Sequence, residues 1–175
     1  MKKNEAIEID FNELPEGVST EEIEPGIYIL KIEDIILENN EDFGTQYQFS
    51  HSIPGYPQKI NYDNYRIFDA EGNPHDWGRG KLRAMIEASQ TKMEKINLVM
   101  LQNLLKGEYI KAELELNKKK YPQIKFANLY PLDYEEPAIN QEAYEAEVKN
   151  KSTKKEKKEE TPSEDIAEQF DDSDI

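Results

Sequence analysis

The sequence predicts a mostly β domain interrupted by a helix or helix pair and followed by a charged, disordered segment. Three observations predict it. Alternating apolar and polar runs are separated by Pro/Gly turns, one central stretch shifts to a helical apolar period, and apolar content falls after residue 132.

Pro25-Gly26 is a turn signal, and Ile27 to Leu37 follows it, rich in β-branched and aromatic residues, with Tyr28, Leu30 and Ile32 on one face. This is the first strand, and Glu38 to Gly44 is a polar loop. In the second strand Thr45, Tyr47, Phe49, His51 and Ile53 share a face opposite Gln46, Gln48, Ser50 and Ser52. Pro54-Gly55 and Pro57 turn the chain into a third strand, Lys59 to Phe68, carrying Ile60, Tyr62, Tyr65 and Ile67. Asp69 to Pro74 is another turn, with Gly72 free to take positive φ. From Trp77 to Gln90 the period changes: Leu82, Met85, Ile86 and Ser89 fit a helix, with Arg79, Lys81 and Arg83 near its start. Leu98, Leu101, Leu104 and Leu105 repeat the helical pattern, which Gly107 ends. Tyr109 to Leu116 alternates as strand four, Asn117 to Lys120 turns, and Tyr121 to Leu132 is strand five, interrupted by Pro122.

Three strands, a helix and two strands is the order of an OB-fold, a five-stranded partly open barrel with its helix between strands three and four; other small α+β folds share this order. The expected organisation is an N-terminal arm over residues 1–23, the barrel over 24–132 and a disordered acidic tail over 133–175. In the arm, Ile7, Ile9, Phe11 and Leu14 alternate loosely, as a short edge strand or docked arm would. In the tail, Glu135 to Val148 fits a transient helix, and Lys149 to Glu160 has no apolar side chain, too little to offset its ordering entropy.

Composition narrows the function classes. With 37% hydrophobic residues, 34% charged residues and a mean hydropathy of −0.89, the chain suits a core with polar extensions better than one compact body. The absence of cysteine excludes disulfides, zinc–thiolate sites and cysteine nucleophiles, and suits a reducing cytoplasm. No apolar run resembles a signal peptide or approaches the roughly 20 residues of a membrane span, so no membrane partner is expected. The net charge of −15 argues against nucleic acid only until it is located. Residues 1–23 hold 2 lysines against 7 acids, residues 133–175 hold 6 against 15, and residues 24–132 hold 14 Lys and Arg against 15 acids. A near-neutral core still has room for a basic stripe, because the local field steers binding.

Single-stranded DNA exposes base faces and a charged backbone, so a groove for it needs rings for stacking and Lys or Arg for phosphates. The candidates are Lys59, Tyr62, Tyr65 and Arg66 on strand three, Trp77, Arg79 and Arg83 around the helix start, and Lys118, Lys119, Lys120, Tyr121 and Lys125 around the last hairpin. The OB-fold binds with its strand 2–3 face and the loops between strands 1–2 and 4–5, and the lysine turn falls at the latter. The same rings also suit a barrel core, and the lysine turn a solvated hairpin. In the tail, Phe170, Asp171, Asp172, Asp174 and Ile175 can dock into a basic pocket with an apolar floor, fold back onto the groove, or simply solubilise the chain.

Signals for catalysis are missing. His51 and His75 are far apart; His51 falls on the inward face of its strand, and His75-Asp76 falls in a turn. There is no nucleophile triad, phosphate-binding glycine loop or metal-ligand spacing, so no enzyme, cofactor or metal is expected. The rival class is an acidic protein-interaction module, a host-protein inhibitor or DNA mimic. It needs carboxylates on the folded surface, whereas here they concentrate in the termini.

Pro25-Gly26-Ile27-Tyr28, Gly44-Thr45-Gln46-Tyr47-Gln48-Phe49, the run Gly78-Arg79-Gly80-Lys81-Leu82-Arg83-Ala84-Met85-Ile86-Glu87-Ala88, Leu105-Lys106-Gly107 and Leu129-Tyr130-Pro131 resemble a family of small phage proteins that includes phage single-stranded-DNA-binding proteins. The resemblance covers residues 24–132. It implies an OB-fold, binding of single strands without base preference, self-association, a role in phage DNA replication or recombination in the bacterial host cytoplasm, and no catalytic residue. Asp171-Asp172-Ser173-Asp174-Ile175 resembles the acidic tip of bacterial single-strand-binding proteins, which docks replication and repair enzymes. It departs from their Pro-Phe ending, with Phe170 and Ile175 standing in its place.

Overall fold

The computed structural model describes residues 10–13 and 22–152. After a 3-10 turn at Phe11–Glu13, the elements are β1 (Gly26–Asn40), β2 (Gly44–Ser52), β3 (Lys59–Phe68), α1 (Asp76–Ala88), α2 (Leu98–Leu105), β4 (Tyr109–Leu116), β5 (Pro122–Tyr130) and a helix over residues 141–152, α3. All five strands form one open antiparallel sheet in the order β3-β2-β1-β4-β5. Pro122 is accommodated as the first residue of its strand, where a missing N–H costs least.

The long β1 sets the curvature. Its first half, Gly26 to Lys31, pairs with β4, and its second half, Lys31 to Asn40, pairs with β2, with a register shift between Ile32 and Asp34. A strand that changes partner at a bulge bends and coils the sheet. The two end strands, β3 and β5, thereby come into contact, and α1 packs across both. The core lies inside this curl: Tyr28, Leu30, Ile32, Ile35, Phe49, Tyr65, Met85, Leu101, Leu105 and Ile110 are essentially inaccessible to water. Each large aliphatic side chain buried there contributes about 1.5–3 kcal/mol relative to leaving it exposed.

Changing partner leaves each half of β1 with one open edge, and both edges are largely filled. Along the second half, Gly107 N–H donates to Ile32 O at 2.7 Å, Ile32 N–H to Glu108 O at 2.9 Å, and the Gln102 side-chain amide to Ile35 O at 2.8 Å. Gly107 has φ +90°, a conformation glycine adopts without strain, which lets the chain leave α2 and turn back onto β1. Along the first half, Asn140 acts as a substitute strand. Its Oδ1 accepts from Ile29 N–H at 2.7 Å, and its Nδ2 donates to Ile29 O and Pro54 O, each at 2.9 Å. Ile139 N–H completes the edge at Ile27 O, 2.8 Å away.

That arrangement moves the boundary expected after Leu132. Residues 133–140 belong to the folded body: Ala138 and Asn140 are buried, and Lys111 Nζ donates to the carbonyls of Tyr134 and Glu136. Helix α3 then leans on β4, where the Tyr109 and Tyr144 rings meet edge to face at 4.9 Å and Tyr109 donates to Glu147 at 2.6 Å. A polar composition concealed these anchors because one Asn side chain, not an apolar face, makes the key attachment. The acidic tip, Phe170 to Ile175, lies outside the described residues, as does most of the N-terminal arm.

Candidate nucleic-acid interface

A groove of about 550 Å³ runs between the start of β3 and the β4–β5 hairpin. Lys59, Asn61 and Tyr62 form one wall, and Asn117, Tyr121 and Gln123 form the other; none of its lining side chains is acidic. Tyr62 is 78% exposed and Tyr121 64% exposed, so both rings present apolar faces to water. Asn117 shapes the hairpin between them. Its Oδ1 accepts from Lys119 N–H at 2.9 Å and Tyr121 N–H at 3.0 Å, while Lys120 N–H donates to Asn117 O. This side chain fixes the turn, leaves Lys118, Lys119 and Lys120 exposed at its tip, and holds Lys120 at φ +63°. Lys59 and these three lysines form no ion pair among the described residues. The charge of the three hairpin lysines is available to a polyanion, while that of Lys59 also acts on the Glu33 carboxylate.

The remaining sequence candidates fall elsewhere. Tyr65 is buried in the core and cannot meet a base. Tyr62 and Tyr65 are an odd number of residues apart, so they occupy opposite faces of β3. Arg66 lies half-buried with its guanidinium 5.7 Å from the Phe43 ring centre. Arg79 donates through Nε to Ile67 O at 2.8 Å and stacks on Phe68 at 4.7 Å. Trp77 is exposed at the start of α1, and Arg83 pairs with Glu87 on the solvent face of that helix. Lys125 faces Glu113 at 3.5 Å. The twelve residues therefore divide into three that line the groove (Lys59, Tyr62, Tyr121), the three exposed lysines of the adjoining hairpin tip (Lys118, Lys119, Lys120), a set around α1 and the end of β3 (Arg66, Trp77, Arg79, Arg83), the paired Lys125 and the core residue Tyr65. Arg79 also borders a second, mostly apolar cavity of about 370 Å³ with Tyr47, Ile67, Phe68, Leu82 and Ile96.

Directly behind Tyr62 sits a buried polar cluster. The Asp63 carboxylate is held by His51 Nε2 at 2.9 Å, Tyr65 Oη at 2.6 Å and Lys81 Nζ at 2.9 Å. Burial pushes this carboxyl up, but the His51 hydrogen bond and charge, the Lys81 ammonium and the Tyr65 hydroxyl outweigh it and hold it below its ordinary value. Burial, and then the same carboxylate, push the Tyr65 hydroxyl well above its usual range. Since Lys81 belongs to α1 and Asp63 to β3, the cluster fastens the helix to the groove wall. His51 is packed inside, as its place in the alternation implies, with Nδ1 unpartnered among the described residues. His75 is the N-cap of α1, its Nδ1 accepting from Gly78 N–H at 3.1 Å. Gly78 itself lies so close to β3 that a Cβ there would collide with the Arg66 carbonyl.

Phe126 is an exposed ring of β5 that lies outside the sequence candidates. Phe126 would face inward with Ile124 if β5 alternated regularly, but it is 70% exposed. The signal available in the sequence was the odd separation of Ile124 and Leu129, both of which need cover and so require a bulge between them. Among the described residues no group of His, Asp or Glu side chains is placed to hold a metal ion, and no helix is long and apolar enough to cross a membrane. No family model matches the chain, and no curated protein sequence matches it.

Proposed function

We propose that the chain binds single-stranded DNA without sequence preference and without catalysis, on an OB-fold. The single observation that carries this reading is the acid-free groove lined by Lys59 and the exposed Tyr62 and Tyr121, with Lys118, Lys119 and Lys120 exposed at the tip of the hairpin that forms its second wall. Rings accept any base by stacking, worth about 1–3 kcal/mol each, and lysines replace counterions along the phosphates. Duplex DNA hides its base faces, so the same groove discriminates against it. The sheet order supports the fold: joining β3 to β5, which already touch, closes the sheet into a five-stranded barrel with α1 spanning the seam. The resemblance to phage single-stranded-DNA-binding proteins extends the reading to phage replication or recombination in the host cytoplasm. Recruitment of replication or recombination proteins then falls to Phe170, Asp171, Asp172, Asp174 and Ile175.

The test is fluorescence anisotropy with labelled oligo-dT and a duplex of equal length. Micromolar or tighter binding to the single strand is expected, with duplex binding far weaker. Tyr62→Ala and Tyr121→Ala should each weaken single-strand binding by about 5- to 150-fold. Deleting residues 161–175 should leave binding intact or tighten it. Equal affinity for single strand and duplex would remove the reading and favour a protein-docking role.

A further inference from the structure

We infer that the bulge in β5 is a second stacking platform, with Phe126 as its ring and an unpaired nucleobase as its ligand. This rests on the single-stranded-DNA reading above and extends it beyond the groove.

Two unfavourable features coincide at this residue. Phe126 has φ +52°, in the left-handed region that bulky side chains rarely adopt, and its ring is 70% exposed. Packing does not account for either, since a ring in water gains little from holding a strained backbone. The strain is nevertheless built in. Between the pairs Leu114–Ile124 and Ala112–Leu129, β4 advances two residues while β5 advances five. The extra residues form a loop whose two legs are both tied to Glu113. Lys125 Nζ lies 3.5 Å from one carboxylate oxygen of Glu113, and Asn128 Nδ2 donates to the other at 2.8 Å. One carboxylate thus clamps both sides of the bulge and leaves Phe126 projecting from between them. A bulge backbone tied down before binding leaves only the ring's own rotamer freedom to be lost when a base stacks on it. Tyr121 immediately precedes β5 and Phe126 lies five residues further on, so a DNA strand that follows β5 out of the groove runs toward Phe126.

Affinity for oligo-dT of increasing length, measured on the full chain, tests this. Phe126→Ala should match wild type on the shortest oligonucleotides that fill the groove and bind longer ones about 5- to 150-fold more weakly. Phe126→Trp should restore the affinity, and the melting temperature of Phe126→Ala should stay at the wild-type value. Equal affinities of wild type and Phe126→Ala at every length, with wild type preferring single strands, would overturn the Phe126 assignment alone. A fall in melting temperature, or a change in oligomeric state with DNA affinity unchanged, would overturn it in favour of packing or self-association. Failure of wild type to prefer single strands would overturn this inference together with the reading beneath it.

Discussion

Asp63→Ala tests the buried cluster behind the groove most directly. Three donors converge on this carboxylate within 2.6–2.9 Å, and its removal strands two of them in the interior. The side chain of Lys81 is only 11% exposed, and its remaining contacts include the Asn64 carbonyl at 3.2 Å and the rings of Tyr65 at 4.4 Å and Trp77 at 5.9 Å. Breaking a buried ion pair from one side costs about 3–5 kcal/mol, because the other charge is left uncompensated. For a folded body of this size about 1 kcal/mol corresponds to roughly 3–5 °C, so the melting temperature should fall by about 10–20 °C. The pH dependence has a definite sign. The folded carboxyl titrates below its ordinary value of 3.8, so its contribution is complete above the unfolded value and is lost as pH falls through the window beneath 3.8. Thermal and urea unfolding followed by circular dichroism should show a wide gap between wild type and Asp63→Asn at pH 7, narrowing below about pH 4. A double-mutant cycle with Lys81→Met isolates the pair, and the double variant should lose less than the sum of the singles. A melting temperature for Asp63→Ala within about 3 °C of wild type would refute the argument, as would strict additivity in the cycle.

Two glycines of α1 should respond in opposite directions. Gly78→Ala drives a Cβ into the Arg66 carbonyl and should destabilise by at least about 1–3 kcal/mol, whereas Gly80, open on all sides, should gain up to about 1 kcal/mol as alanine; chemical denaturation reads both. Asn140→Ala leaves the N–H and C=O of Ile29 without their partner, which should cost at least about 2 kcal/mol and speed amide exchange at Ile29. Replacing Lys118, Lys119 and Lys120 together with glutamine should lower the salt dependence of oligo-dT binding by about 2 in log–log slope, and an unchanged slope would place the phosphates elsewhere.

Much of the groove was legible because its signals are local. Lys59, Tyr62, the lysine turn and Tyr121 stand next to strand and turn signals that need only a few neighbouring residues to read. Tyr65 was drawn into the same set because aromatic content alone does not say which face of a strand turns inward. The register with β2, shifted between Phe49 and His51, decides that. Phe126 escaped for the converse reason: regular alternation buries it, and only the mismatch with β4 turns it out. The cluster of His51, Asp63, Tyr65 and Lys81 draws on β2, β3 and α1, so no window of sequence contains it.

The sequence by itself determined the five strands, the two helices between the third and fourth, their order, and the concentration of negative charge in the termini, because period, turn chemistry and charge are properties of short stretches of chain. Only the tertiary structure decided which tyrosine of β3 meets water, where β5 bulges, and that residues 133–140 complete the edge of β1. These outcomes depend on which distant backbone groups need hydrogen-bond partners, and a buried N–H or C=O is satisfied by whatever the folded chain brings beside it.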